Sequence, residues 1–275
     1  MNDLSRRLIG SSFWIAGVIC LIAFAFQPIF QYITALAVAA LAGVAIWEYE
    51  QFVKAKGGKM ILPALITITI AEVLSFFFAA HNSTFEKLPL LVFFVGFLIM
   101  FALHFGKKDG AIVDLAVSSF GLLYIAVPMG MILGILYMPY VDGRWWVLYL
   151  LVVTKITDAG AYFAGSLWGK RKLAPTISPK KTIEGALFGL VCAVLASFVF
   201  TLFGDFNLGN LEWIFLGLLL GIVGQFGDLS ESLLKRDANK KDSNTLPGLG
   251  GVLDLVDSIL FNAAIIYMYL RFIKL

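Results

Sequence analysis

The chain has 275 residues, of which 60% are hydrophobic and only 14% charged. A water-soluble globular domain carries roughly 25% charged residues, so composition excludes that class; a formal net charge of +3 says little by itself, and no nucleic-acid partner is expected. Apolar stretches of about 18 residues or more read as membrane-crossing helices, and they fill most of this chain, whereas a β-barrel would show short alternating strands.

Nine apolar segments follow one another, over about 8–26, 28–47, 60–80, 88–105, 111–138, 145–168, 183–204, 211–228 and 250–273. The first has a basic opening and a long apolar run without a small-x-small cleavage site, so it reads as an uncleaved helix. Cys20 and Cys192 lie in separate apolar segments with no metal-binding spacing, which argues against a disulfide framework. The fifth segment is overlong and contains Pro128, which predicts a tilt or kink. Two connections are long and polar, "GKRKLAPTISPKKT" (169–182) and "KRDANKKDSNTLPGLG" (235–250). Thr182 stands where it can cap a helix that starts near Ile183. The expectation is an all-α polytopic membrane protein of about nine transmembrane helices, one integral domain over 1–275. Helices within 1–138 have a scaffold or lipid-facing role, and 145–275 carries the chemistry.

Basic residues orient these segments. Sixteen of the 21 Lys and Arg residues fall in one alternate set of loops, four in the other, and Lys155 lies within a segment. The positive-inside rule then predicts a cytoplasmic N-terminus and an external C-terminus. Both long polar connections fall on the cytoplasmic side. So do Asp228 at the end of segment eight and Asp254 and Asp257 at the start of segment nine. Asp158 lies about 15 Å from the cytoplasmic end of segment six, at 1.5 Å per residue.

The stretch "GDLSESLLKRDANKKD" (227–242) places Asp228, Glu231, Ser232 and Lys235 at helical spacing. Its plainest reading is a charged helix end with a Glu231–Lys235 pair. The second acid pair, Asp254 and Asp257, shifts the balance, because carboxylates near hydrocarbon are costly unless paired, hydrated or bound to a cation. Two acid-bearing helix ends joined by a Gly/Pro loop can form an oxygen-rich site for Mg²⁺. The run 169–185 carries five basic residues beside a helix start, which suits phosphate or simply fixes topology and meets anionic lipid. Lys155 and Asp158, three residues apart, can neutralise each other, whereas Glu72 has no sequence-local partner. His81 and His104 read as interfacial residues, and "GALFG" and "GLLLG" permit close helix packing, including a homodimer, without requiring one.

Two stretches, "DAGAYFAGSLWGKRKLAPTISPKKTIEG" (158–185) and "GDLSESLLKRDANKKDSNTLPGLGGVLDLVDS" (227–258), resemble the phosphatidate cytidylyltransferase family, also called CDP-diacylglycerol synthase. Ser232, Lys235, Arg236, Lys241, Asp242, Pro247, Gly248, Gly250, Gly251, Asp254 and Asp257 follow the order of the family signature. Leu249 and Leu255 depart from it, standing where the family usually has His and Arg, so roles of that His and Arg do not carry over.

The resemblance implies that CTP and phosphatidate give CDP-diacylglycerol and pyrophosphate at the cytoplasmic face of a bacterial inner membrane. It implies Mg²⁺ with room for a second cation. Asp228 and Asp254 are the first-choice ligands, with Asp257 and Asp158 in support. Lys235 and Arg236 are placed with Asp158 in catalysis, and Ser178, Lys180, Lys181, Ser232 and Lys241 on substrate phosphates. Two alternatives stay open: a related CTP-dependent transferase acting on an isoprenoid or ether lipid, and a cation-coupled transporter with intramembrane carboxylates, against which the absence of a repeat argues.

Overall fold

The structure, a computed structural model, describes residues 15–106, 109–203, 206, 208–209, 211–240 and 250–274. The helices are α1 (15–23), α2 (Pro28–Ala55), α3 (Leu62–His81), α4 (Leu88–His104), α5 (Ala111–Gly121), α6 (Val127–Leu136), α7 (Gly143–Trp168), α8 (Ile183–Phe203), α9 (Glu212–Asp237) and α10 (Val252–Tyr269). Among the described residues, eight helical stretches are long and apolar enough to cross a membrane, with α5 and α6 counted as one. The start of the first expected segment, 8–26, lies outside the described residues.

Two compact units divide the chain. The first takes residues up to 144 together with 237–255, and the second takes 145–236 together with 256–275. In the first unit α3 packs against α2, α4 and α6. Ala35, Ala39, Ala42 and Ile46 line one face of α2 at helical spacing and are all buried. The expected distortion near Pro128 takes a definite form. The helix widens into a single π turn at Leu122–Ala126 between α5 and α6. A proline ring collides with the carbonyl four residues earlier, here that of Tyr124, and the widened turn makes room for it.

The second helix runs eight residues past its expected end at 47, reaching Ala55. Its last turns carry acids that the hydrophobic pattern does not count, and these are buried rather than solvated. Glu50 pairs with Lys54 at 2.8 Å. The carboxylate of Glu48, 1% exposed, accepts the backbone N–H of Val252 at 2.8 Å and of Leu253 at 2.7 Å. Those are two of the donors left open at the start of α10, and a helix N-terminus carries partial positive charge. Asp254 completes the cap by accepting the Gly251 N–H at 3.0 Å.

The second unit is built on close backbone approach. Gly185 and Gly189 of "GALFG" face α7, where an added Cβ on Gly189 would lie 2.9 Å from the Thr157 carbonyl. Gly217 and Gly221 of "GLLLG" face α8, against Val194 and Ala193. Both small-residue motifs are thus used within the chain. Polar side chains fasten the same helices inside the apolar span. Asn262 of α10 donates to Thr154 of α7 at 2.8 Å and to the Leu220 carbonyl of α9 at 3.1 Å. Tyr149 meets Ser197 at 2.8 Å, and Ser197 donates to the Trp213 carbonyl at 2.6 Å.

Removing the Glu48 carboxylate strands two buried N–H donors, at about 1–3 kcal/mol each. Glu48→Ala is therefore expected to lower the melting temperature in detergent clearly, and Glu48→Gln, which keeps one acceptor, to lower it less. Equal melting of Glu48→Ala and wild type contradicts the cap. The sidedness expected from basic residues is checked by reporter fusions at both termini, with a cytoplasmic N-terminus and an external C-terminus as the expected result. Reporters on one side would remove the odd helix count.

Candidate active site

The polar run 169–182, expected as a connection, folds into a two-stranded hairpin, β1 (Lys172–Ala174) and β2 (Ser178–Thr182). The strands are antiparallel, with Lys172 opposite Thr182 and Ala174 opposite Ser178. Its base is fixed to the start of α8 by three kinds of bond. Thr182 accepts the Gly185 N–H at 3.2 Å, the cap anticipated for a helix starting at Ile183. The Ile183 N–H reaches the Arg171 carbonyl at 2.9 Å. Glu184 accepts the N–H groups of Lys170 and Arg171 and the Arg171 guanidinium, each at 3.1 Å.

Successive strand residues face opposite sides, so the adjacent Lys180 and Lys181 diverge. Lys181 reaches Asp228 of α9 at 2.5 Å. Lys180 is exposed on the other side of the strand. Asp228 is brought there by its neighbour Gly227, where α9 and α10 almost touch. An added Cβ at Gly227 would lie 2.6 Å from the Asp257 carbonyl and 3.2 Å from the Ser258 Cα. Only glycine permits that approach.

Around this contact three carboxylates lie within reach of one another's charge: Asp158 of α7, Asp228 of α9 and Asp257 of α10. Asp257 is 7% exposed and accepts the Ser258 N–H at 2.6 Å. Ser258 donates through Oγ to Asp158 at 3.2 Å. Lys155, one turn from Asp158 on α7, lies 3.8 Å from its carboxylate and 3.4 Å from Ser258 Oγ. The unit thus gathers three acids, two ammonium groups and a hydroxyl from the hairpin and three helices. The acids and hydroxyl form an all-oxygen donor set, which fits a hard cation such as Mg²⁺. Among the described residues no three His, Cys, Asp or Glu side chains already surround one metal position. The ammonium of Lys181 instead stands directly against Asp228.

The other expected site residues separate into groups. Lys235 pairs with the fully buried Glu231 one turn earlier, the pair anticipated from their spacing. Arg236 donates through Nε to the Ile177 carbonyl at 3.1 Å, tying the end of α9 to the hairpin turn beside Ser178. Ser232 is half-buried on α9. Asp254 serves the first turn of α10, in the first unit. Lys241 lies outside the described residues, as does Leu249. Lys155 reads from the sequence only as a neutralising partner of Asp158, and Ser258 was missed. Its only signal was its place directly after Asp257.

Comparison with known proteins places the chain in a family. Residues 6–273 match the cytidylyltransferase family. The phosphatidate cytidylyltransferase of Chlamydia pneumoniae is 33% identical over 98% of this chain and 92% of its own length. That of Chlamydia muridarum is 31% identical over 98% of this chain and 93% of its own length. The phosphatidate cytidylyltransferase of Staphylococcus haemolyticus is 48% identical over 44% of this chain and 46% of its own length. With the match running across the helices, the hairpin and the acid-bearing helix ends alike, the chain belongs to the cytidylyltransferase family.

Proposed function

We propose that this protein transfers the cytidylyl group of CTP to phosphatidate, giving CDP-diacylglycerol and pyrophosphate for phospholipid synthesis. The reaction is assigned to the cytoplasmic side of a bacterial inner membrane, the side on which the basic loops are expected. The observation that carries the reading is the grouping of Asp158, Asp228 and Asp257 with Lys181 and Lys155 in a chain of this family. Its full-length relatives are named for the same reaction.

The chemistry asks little of a general base. A phosphate monoester has its second pKa near 6, so the lipid phosphate is largely ionised at neutral pH. Its oxygen forms a bond to the α-phosphorus of CTP while the bond to the β-phosphate oxygen breaks and pyrophosphate leaves. A histidine at position 249 is therefore not required for proton removal. The difficulty is bringing two polyanions together, which calls for charge neutralisation and in-line positioning. Asp228 and Asp257, with Asp158 beside them, would hold Mg²⁺, which when bound neutralises phosphate oxygens and the charge on the leaving group. Lys181 is poised to exchange its bond to Asp228 for one to a substrate phosphate. Arg236 holds the hairpin that carries Lys181, and Lys235 answers Glu231 within the same helix end. The rest of α7, α9 and α10 presents apolar surface on which acyl chains stay in the bilayer while the headgroup reacts.

Purified protein with CTP, Mg²⁺ and phosphatidate is expected to form CDP-diacylglycerol and pyrophosphate, and polyprenyl phosphate is expected not to displace phosphatidate. Preferred use of the polyprenyl lipid would move the substrate to the isoprenoid class, and cation flux without CTP turnover would make the protein a transporter. Asp228→Asn and Asp257→Asn are expected to insert and purify normally yet lose about 100-fold or more in turnover, the scale of one lost preorganised electrostatic group. Asp254→Asn still accepts the Gly251 N–H, so the start of α10 survives and the measurement isolates the charge. From its place in the family signature Asp254 is proposed as a further holder of the cation, and a loss of about 100-fold is expected there too. Unchanged turnover would leave Asp254 a helix cap and nothing more.

A further inference from the structure

Ser258 touches two of the three acids at once. Its backbone N–H donates to Asp257 Oδ1 at 2.6 Å, and its Oγ donates to Asp158 Oδ2 at 3.2 Å. The direction of the second bond is fixed. Lys155 donates to the same Oγ at 3.4 Å, and an ammonium group has no acceptor, so the one hydroxyl proton goes to Asp158. Ser258 is fully buried, and a bond from a hydroxyl to a charge is stronger in such surroundings than in water.

Each of the two acids therefore spends one carboxylate oxygen on Ser258. Asp158 Oδ1 and Asp257 Oδ2 accept no hydrogen bond from the described residues. Asp228 adds its charge to both. Like charges gathered in one place repel, and a residue that donates to two of them holds them together before a cation arrives. A buried serine can also be a plain fastener between helices. Asn262, one turn further along the same face of α10, is such a fastener, and its partners are neutral: Thr154 Oγ1 at 2.8 Å and the Leu220 carbonyl at 3.1 Å. Ser258 binds carboxylates instead, where α9 presses closest, with its Cα 3.2 Å from the place of an added Cβ on Gly227.

We infer that Ser258 is a positioning residue for the divalent cation. By holding Asp158 Oδ2 and Asp257 Oδ1, it leaves the second oxygen of each acid to a shared cation beside Asp228. The inference rests on the cation of the cytidylyl-transfer reading and deepens it, with Ser258 acting through the two acids.

Electron paramagnetic resonance of Mn²⁺ with the purified protein, without nucleotide, tests this apart from turnover. Partners that orient metal-holding groups are worth about 10- to 100-fold in metal affinity. Ser258→Ala is expected to weaken Mn²⁺ binding about 10-fold or more. It is expected to raise the Mg²⁺ needed for half-maximal cytidylyl transfer by a similar factor, with kcat largely restored at saturating Mg²⁺. Ser258→Cys, close in shape but a weak donor, is expected to fall between Ser258→Ala and wild type, and it carries the test should Ser258→Ala fail to fold. Asn262→Ala separates positioning from fastening: it is expected to lower the melting temperature and to keep Mn²⁺ affinity close to wild type. Wild-type Mn²⁺ affinity in Ser258→Ala overturns the inference, as does an equal loss in Ser258→Ala and Asn262→Ala. Failure of wild type to bind Mn²⁺ overturns it together with the cation. If wild type binds Mn²⁺ and Ser258→Ala binds it weakly, but no CDP-diacylglycerol forms, the reaction reading fails and the positioning role stands.

Discussion

A carboxylate inside an apolar helix bundle is tolerated only where other groups answer its charge, and that requirement organises both units. In the first, Glu48 of α2 is answered by the open N–H groups at the start of α10. In the second, Asp228 is answered by Lys181, Glu231 by Lys235, and Asp257 by the Ser258 N–H. Glu72 is the exception. It is 2% exposed on α3, and its Oε2 accepts no hydrogen bond among the described residues. These pairings differ in what they free. Glu48 is locked into backbone and serves the fold, whereas on the proposed reading Asp228 gives up Lys181 for a cation while Lys181 takes up a phosphate.

The second requirement is closeness, and glycine supplies it. Gly227 lets α9 approach the Asp257–Ser258 backbone, so Asp228 arrives beside the acids of α7 and α10. Asn262 holds the same three helices further along their length. The polar hairpin then needs only short reach. Thr182 and Glu184 fix its base to α8, and strand alternation turns Lys181 inward. Chemistry that demands charge neutralisation rather than a strong base is well served by such a frame.

Much of this was legible because it is local. Apolar length gave eight of the nine expected spans among the described residues, a hydroxyl before an apolar run gave the Thr182 cap, and i,i+4 spacing gave Glu231–Lys235. The resemblance supplied the chemical class. What stayed hidden was non-local or conformational. Glu48 and Val252 are 204 residues apart, and no spacing rule links them. The hairpin was hidden by its prolines, which read as loop. Without the strand, Lys180 and Lys181 looked equivalent, though alternation gives them opposite sides. Pro128 signalled a distortion, but not that a π turn would absorb it.

On the proposed reading Asp228 and Asp257 bind a divalent cation together with the nucleotide's phosphates. Electron paramagnetic resonance of Mn²⁺ with CTP reads this directly in the purified protein. The account predicts protein-bound Mn²⁺ coupled to phosphorus in wild type, with both signals lost in Asp228→Asn and Asp257→Asn. Equal Mn²⁺–CTP binding in wild type and both variants would contradict it and return these acids to a purely structural role.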